Sequence, residues 1–207
     1  MFKLIGKIIV LLLIVQGVTI AQSEKRFRIG PHLGLGMTQI SKLRAGEEAI
    51  YRPTFGLAFD VKINPNVTFS SGLTHRTTGE FDRTKSYPTD LTTLETYHSL
   101  MIPITFKLHP KKGPFFGLIG IQPGFVYKGA FEVNEVPQGN SYYRKLDFGG
   151  TAGFGFNLGQ NLALDLRYYQ GVVNLNKSRS MAIPGYGLMD IKKEFHRQLA
   201  LTVYCYF

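Results

Sequence analysis

From about residue 26 onward, hydrophobic and polar positions alternate with period two, and the helical period of 3.6 is nearly absent. The alternation predicts eight strands. The first covers about Arg26 to Gln39, with Phe27, Ile29, Leu33, Leu35 and Met37 opposing Arg28, Gly30, His32, Gly34 and Gly36. The second covers Pro53 to Ile63, where Phe55, Leu57, Phe59, Val61 and Ile63 oppose Gly56, Ala58, Asp60 and Lys62. The third, Val67 to Thr78, is the least regular. The fourth runs from Leu94 to Leu108, with Leu100, Ile102, Ile104, Phe106 and Leu108 against Glu95, Tyr97, Ser99, Thr105 and Lys107. The fifth spans Pro114 to Gly129, the sixth Tyr143 to Leu158, the seventh Leu162 to Leu175 and the eighth Lys193 to Phe207. Pro31, Pro103 and Pro123 fall inside these strands and each removes a ladder donor, so bulges or strand ends are expected there.

The connections carry a second pattern. Asn64-Pro65-Asn66, Pro110 to Gly113 and Gly159 to Asn161 have the chemistry of short turns. The other four, Ile40 to Arg52, Gly79 to Thr93, Ala130 to Tyr142 and Asn176 to Lys192, are long. Short and long alternate strictly, which in an up-and-down barrel places all short turns at one end and all long loops at the other. Outer-membrane barrels have that asymmetry, with short periplasmic turns and longer extracellular loops.

Alternation alone does not say which face points inward, and a soluble lipocalin-like ligand binder also has eight strands. Here the polar faces carry charges of both signs among many glycines: Arg28, Asp60, Lys62, Glu95, Lys107, Asp165 and Arg167, with His32 and His196 beside them. The lumen of an eight-stranded barrel is just wide enough for side chains to fill it. Charges enclosed there are tolerable only when paired and hydrogen-bonded. The apolar faces are bulky over about five alternate positions per strand, matching the roughly 9–11 residues of a tilted strand that crosses a bilayer. The expected fold is all-β, an eight-stranded antiparallel up-and-down transmembrane β-barrel. Its oily face contacts lipid, and a polar network of the nine residues just named fills its lumen.

The first 21 residues change the compartment. Lys3 and Lys7 precede the aliphatic run Ile8 to Val15, and Thr19 and Ala21 are small, which is the pattern of a secretory signal peptide. Residues 1–21 are therefore expected to be removed, leaving 22–207 as the barrel. The formal net charge is +10, two of it in this leader. The remaining charges are scattered and interleaved with acids, which excludes nucleic acid as the main partner of an exported chain. The one cysteine, Cys205, rules out an internal disulfide framework.

Catalytic chemistry is thin. There is no HExxH and no CxxC, and Gly149 to Gly155 lies in a hairpin, not at the strand-to-helix turn a dinucleotide loop needs. Five histidines are dispersed; His32 and His196 fall in the neighbouring first and last strands, where they could meet. Asp165 and Arg167 share a face two residues apart, as interior ion-pair partners do. No cofactor or metal is implied. The loop near Gly79 to Thr93 mixes Glu80, Asp82, Arg83, Lys85 and Asp90. The last loop, with Lys177, Arg179 and Lys192, is basic enough to contact lipopolysaccharide.

Two resemblances add to this. The apolar last strand, with Tyr204 and terminal Phe207, resembles the C-terminal signal read by the outer-membrane assembly machinery. Tyr97-His98-Ser99-Leu100-Met101-Ile102-Pro103-Ile104-Thr105-Phe106-Lys107 resembles the Ile-Pro strand of PorT-type outer-membrane barrels of Bacteroidetes. Gly113-Pro114-Phe115-Phe116-Gly117, Asp147 to Gly155 and Leu164 to Tyr168 resemble that family's following strands. The resemblance implies an eight-stranded, OmpX-like barrel with no catalytic residues. The expected role is non-enzymatic: structural, adhesive or accessory to secretion, in a monomer surrounded by outer-membrane lipid, with secretion components as candidate partners. A small barrel enzyme acting on lipid or peptide is the alternative.

Overall fold

A computed structural model describes residues 26–39, 47–84, 91–133, 136–139, 144–174, 180–183, 187–190 and 195–207. The strands are β1 (Phe27–Gln39), β2 (Glu47–Asn64), β3 (Val67–Thr84), β4 (Leu91–Met101), β5 (Ile104–Leu108), β6 (Phe115–Val133), β7 (Val136–Gly139), β8 (Leu146–Leu158), β9 (Leu162–Gly171), β10 (Ser180–Ile183), β11 (Gly187–Asp190) and β12 (Arg197–Cys205). β4 and β5 are two halves of one interrupted strand. Counted so, eight antiparallel strands run around a closed barrel in chain order, and β12 returns to pair with β1. β7 extends β6 as a hairpin, and β10–β11 form a separate two-stranded ribbon in the last long connection.

The alternation resolves into an outer oily face and an inner polar one. Leu33 is 60% exposed and Phe154 63%, while Asp60, Lys107 and Asp165 are each 1% exposed. An array of this size, with Leu33, Leu57, Ile119, Phe154 and Leu201 all pointing outward, is far beyond what a water-soluble surface carries. In hydrocarbon it is the preferred surface, and closure gives every strand a partner on both sides. Tyr51, Tyr127 and Tyr168 ring the long-loop end of this belt, and Phe27, Phe115 and Phe207 the short-turn end, as interfacial aromatics do.

Four strands reach further than the sequence pattern predicts. β2 begins at Glu47, β3 continues to Thr84, β4 begins at Leu91 and β6 continues to Val133. Much of what reads as loop is therefore paired strand. These extensions are rich in Thr and acidic residues and lack the apolar face that marks a lipid-crossing segment, so periodicity misses them. Strand seven ends at Gly171, four residues earlier than expected. The parts of the long loops that include Lys85, Asp90, Lys177, Arg179 and Lys192 lie outside the described residues, as do the leader and the expected starts of strands six and eight.

The prolines behave in two ways. Pro31 sits inside β1 without disturbing its register against β2. Pro103 interrupts the ladder between β4 and β5. Pro123 of β6 faces that gap, and its carbonyl accepts from the Ile102 N–H at 2.8 Å. Two residues without N–H groups thus share one interruption instead of making two. Tyr127 is the extra residue of a bulge in β6, and its hydroxyl lies 2.8 Å from His75 Nε2.

The β1–β12 seam runs from His32↔Tyr204 to Gln39↔Arg197. Just beyond its end, Gly30 lies so close to β12 that a Cβ would overlap the Cys205 carbonyl. Gly30→Val is expected to destabilise the barrel by about 1–3 kcal/mol through overpacking. A lowered urea midpoint of the refolded protein checks this, and an unchanged midpoint contradicts it.

Candidate functional site

Inward-facing polar residues stack in three tiers. Nearest the short turns, Asp60 of β2 receives Lys107 Nζ on both oxygens, at 3.0 and 2.9 Å, and Arg28 Nη2 at 2.9 Å. Lys107 also donates to the Tyr206 hydroxyl at 3.0 Å, and the Arg28 guanidinium lies 4.6 Å over that ring. One carboxylate with two cations and an aromatic face satisfies most donors at the inner end of the short-turn mouth.

In the middle tier Arg167 forks onto Asp165, at 3.2 Å through Nε and 2.5 Å through Nη2, and Nη2 also donates to the Tyr204 hydroxyl. The Tyr204 and Tyr206 rings stack with centroids 5.7 Å apart. His32 packs against Tyr204 at 5.2 Å and meets the Thr74 hydroxyl at 3.2 Å.

The upper tier centres on Asp147 of β8. It accepts from Arg76 Nη2 at 2.5 Å, from His196 Nδ1 at 2.8 Å and from the Tyr169 hydroxyl at 3.0 Å. Because Asp147 accepts, His196 Nδ1 carries the proton, and Nε2 is left to accept from the Thr78 hydroxyl at 3.0 Å. The Arg76 guanidinium caps the Tyr169 ring at 4.3 Å. A cavity of about 30 Å³ between the middle and upper tiers, lined by Arg76, Gln198 and His32, has room for ordered water.

Thr78, His196 and Asp147 together form a hydroxyl–imidazole–carboxylate chain, the geometry of a nucleophilic triad. Thr78 and His196 are wholly buried, and neither lines the 30 Å³ cavity or the larger one at the short-turn end. A nucleophile also needs a site about 3 Å away for the reacting atom. The chain of bonds therefore reads as structural: it ties β3, β8 and the residue just before β12 together across the lumen.

The structure brings together Arg28, His32, Asp60, Lys107, Asp165, Arg167 and His196. Lys62 lies apart from the tiers, half-buried at the mouth of the barrel. Glu95 sits beyond the upper tier, on the strand extension where it pairs in register with Glu80 and Phe131. His32 and His196 do not meet: the partner of His32 in the seam is Tyr204, eight residues from His196. Tyr204, assigned from sequence to an assembly signal, points inward onto Arg167, while Phe207 faces outward. Arg76, Asp147 and Tyr206 are the residues that sequence reasoning missed; Tyr169 was read on the polar face beside Asp165 and Arg167 but given no role. Parity would have found Asp147 and Tyr206, which alternate in step with Gly149 and Tyr204 on the inward faces; strand three offered no such reference for Arg76.

At the short-turn end the lumen opens into a cavity of about 480 Å³, floored by Tyr206 and rimmed by basic residues. Among the described residues no three His, Cys, Asp or Glu side chains are grouped to hold a metal ion.

A closed barrel with an oily exterior and a salt-bridged interior defines an integral β-barrel protein of an outer membrane. A family model described as "Outer membrane protein beta-barrel domain" matches residues 20–177. The chain belongs to that family, and its location is the outer membrane. Among solved structures it is similar to Neisserial surface protein A (13% identity, 90% of this chain and 100% of that one, TM-score 0.45). It is also similar to the attachment invasion locus protein of Yersinia pestis (13%, 88% and 100%, TM-score 0.45). A third is OprG of Pseudomonas aeruginosa (11%, 87% and 92%, TM-score 0.41). No curated protein matches the sequence.

Proposed function

We propose that this chain is a non-enzymatic, non-conducting outer-membrane barrel whose work is done at its two ends, in an adhesive or secretion-accessory role. The carrying observation is the lumen itself. Three successive tiers, Arg28–Asp60–Lys107, Asp165–Arg167–Tyr204 and Arg76–Asp147–His196, occupy the axis that a pore would leave open. Above the belt the paired extensions of β2, β3, β4 and β6 project as long hairpins, and function in such scaffolds concentrates in loops.

The Ile102-Pro103 strand supports placing the chain with PorT-type barrels of Bacteroidetes, and hence an accessory role in secretion. Export through a cleaved leader ending at Ala21, delivery by the assembly machinery through the strand ending at Phe207, and a monomer in contact with outer-membrane lipid and lipopolysaccharide complete the proposal. The test is electrical. Purified barrel added to a planar bilayer is expected to give no stable unitary conductance steps. Large, long-lived steps would overturn the proposal. Crosslinking in intact outer membrane, followed by identification of the partners, then separates the two roles: secretion components indicate the accessory role, surface ligands the adhesive one.

A further inference from the structure

The cavity at the short-turn end is strongly basic, and it shares Arg28, Asp60 and Tyr206 with the lower lumen tier. Arg26, Arg28, Lys62 and Lys111 contribute four permanent cations to its lining, and His109 stands among them. Among the described lining residues the one acidic side chain is Asp60, already held by Lys107 and Arg28. Like charges gathered in a concave, low-dielectric setting focus a positive field outward and draw in anions.

The rim is also fixed in advance. Asn66 Nδ2 donates to the His109 carbonyl at 3.0 Å, and the His109 N–H to the Asn66 carbonyl at 2.7 Å, so two neighbouring turns are tied together. The Arg28 guanidinium is oriented by Asp60, by the Gln160 carbonyl at 3.2 Å and by the Tyr206 ring. A preformed site loses less entropy on binding than a floppy one. At about 480 Å³ the cavity has the size of sites for extended organic ligands, much larger than one inorganic anion needs. Side-chain amides of Asn157 and Gln160 lie among the cations, suited to the peptide groups between acidic side chains.

We infer that this mouth is a docking site for an acidic peptide segment presented from the periplasm, its carboxylates received by Arg26, Lys111 and Arg28. The experiment uses the full barrel refolded into nanodiscs of zwitterionic lipid, with a fluorescein-labelled hexaglutamate peptide followed by anisotropy. Saturable binding is expected, with hexaglutamine failing to bind and inorganic phosphate competing only at far higher concentration. Arg26 and Lys111 are exposed and take no part in the lumen tiers, so R26E/K111E should fold normally. It is expected to bind about tenfold more weakly, from two lost attractions and two new repulsions. Reversal of the basic outer loop, K177E/R179E, should leave the affinity unchanged. Three results would each overturn the inference: no saturable binding, phosphate competing as well as the peptide, or loss of binding in K177E/R179E with R26E/K111E unaffected.

Discussion

Asp147→Leu is expected to lower the stability of the refolded barrel by roughly 3–5 kcal/mol, because it strands the buried Arg76 guanidinium without its carboxylate, away from bulk water. Asp147 is the acceptor for Arg76, His196 and Tyr169 at once, and Arg76 is 2% exposed. Removing both charges should do much less harm. A buried ion pair replaced by apolar side chains of similar volume is often neutral in stability. Arg76→Met combined with Asp147→Leu is therefore expected to recover most of the loss, and the coupling between the two sites measures their interaction. Urea titration in lipid vesicles, followed by tyrosine emission and by the gel mobility of the folded form, reads both. A single variant that unfolds at the parent's urea concentration would mean that the upper tier contributes nothing to stability.

A comparable effect is expected from the opposite face. Leu33 lies midway along the outward row of β1, flanked by Phe55 of β2 and Val203 of β12. Arginine at the midplane of a membrane barrel costs about 2–4 kcal/mol, and the cost falls toward the interfaces. Leu33→Arg should thus destabilise strongly, whereas the same change at Phe27, near the short-turn interface, should cost about 1 kcal/mol or less. Leu33→Phe should be nearly silent. Equal penalties at Leu33 and Phe27 would contradict a lipid-facing belt at this depth.

Strand identity and the direction of each face were legible because the belt imposes period two on bulky residues. Phe55, Leu57, Phe59 and Val61 allow one phase only. Strand three was faint for a physical reason: Ser71 and Thr77 occupy outward positions and are covered by their neighbours, so the oily row is broken. The same weakness hid Arg76, whose inward direction depends on that uncertain phase. Asp147 lay inside the expected sixth strand, in step with Gly149 and Thr151, but the run of glycines that follows it drew the reading to packing and not to charge. The ion pair Asp165–Arg167 was readable, since both partners lie on one strand. Which carboxylate meets which cation across the lumen was not readable. Lys107 reaches Asp60 over 47 residues and Arg76 reaches Asp147 over 71, distances set by barrel curvature and strand stagger. The basic mouth escaped notice because its cations come from turns and strand ends scattered between residues 26 and 111.

Joining the first strand to the last has a consequence for biogenesis. Until Arg197 to Cys205 are available, every shorter stretch of chain is a curved ribbon with two raw margins, and hydrocarbon exacts several kcal/mol for each stranded amide or carbonyl. No partial product can settle in the bilayer and wait for the remainder. Translocation must deliver the whole polypeptide before any of it can be installed, so a nonsense mutation ahead of β12 should yield a periplasmic client for proteolysis and no seven-stranded substitute.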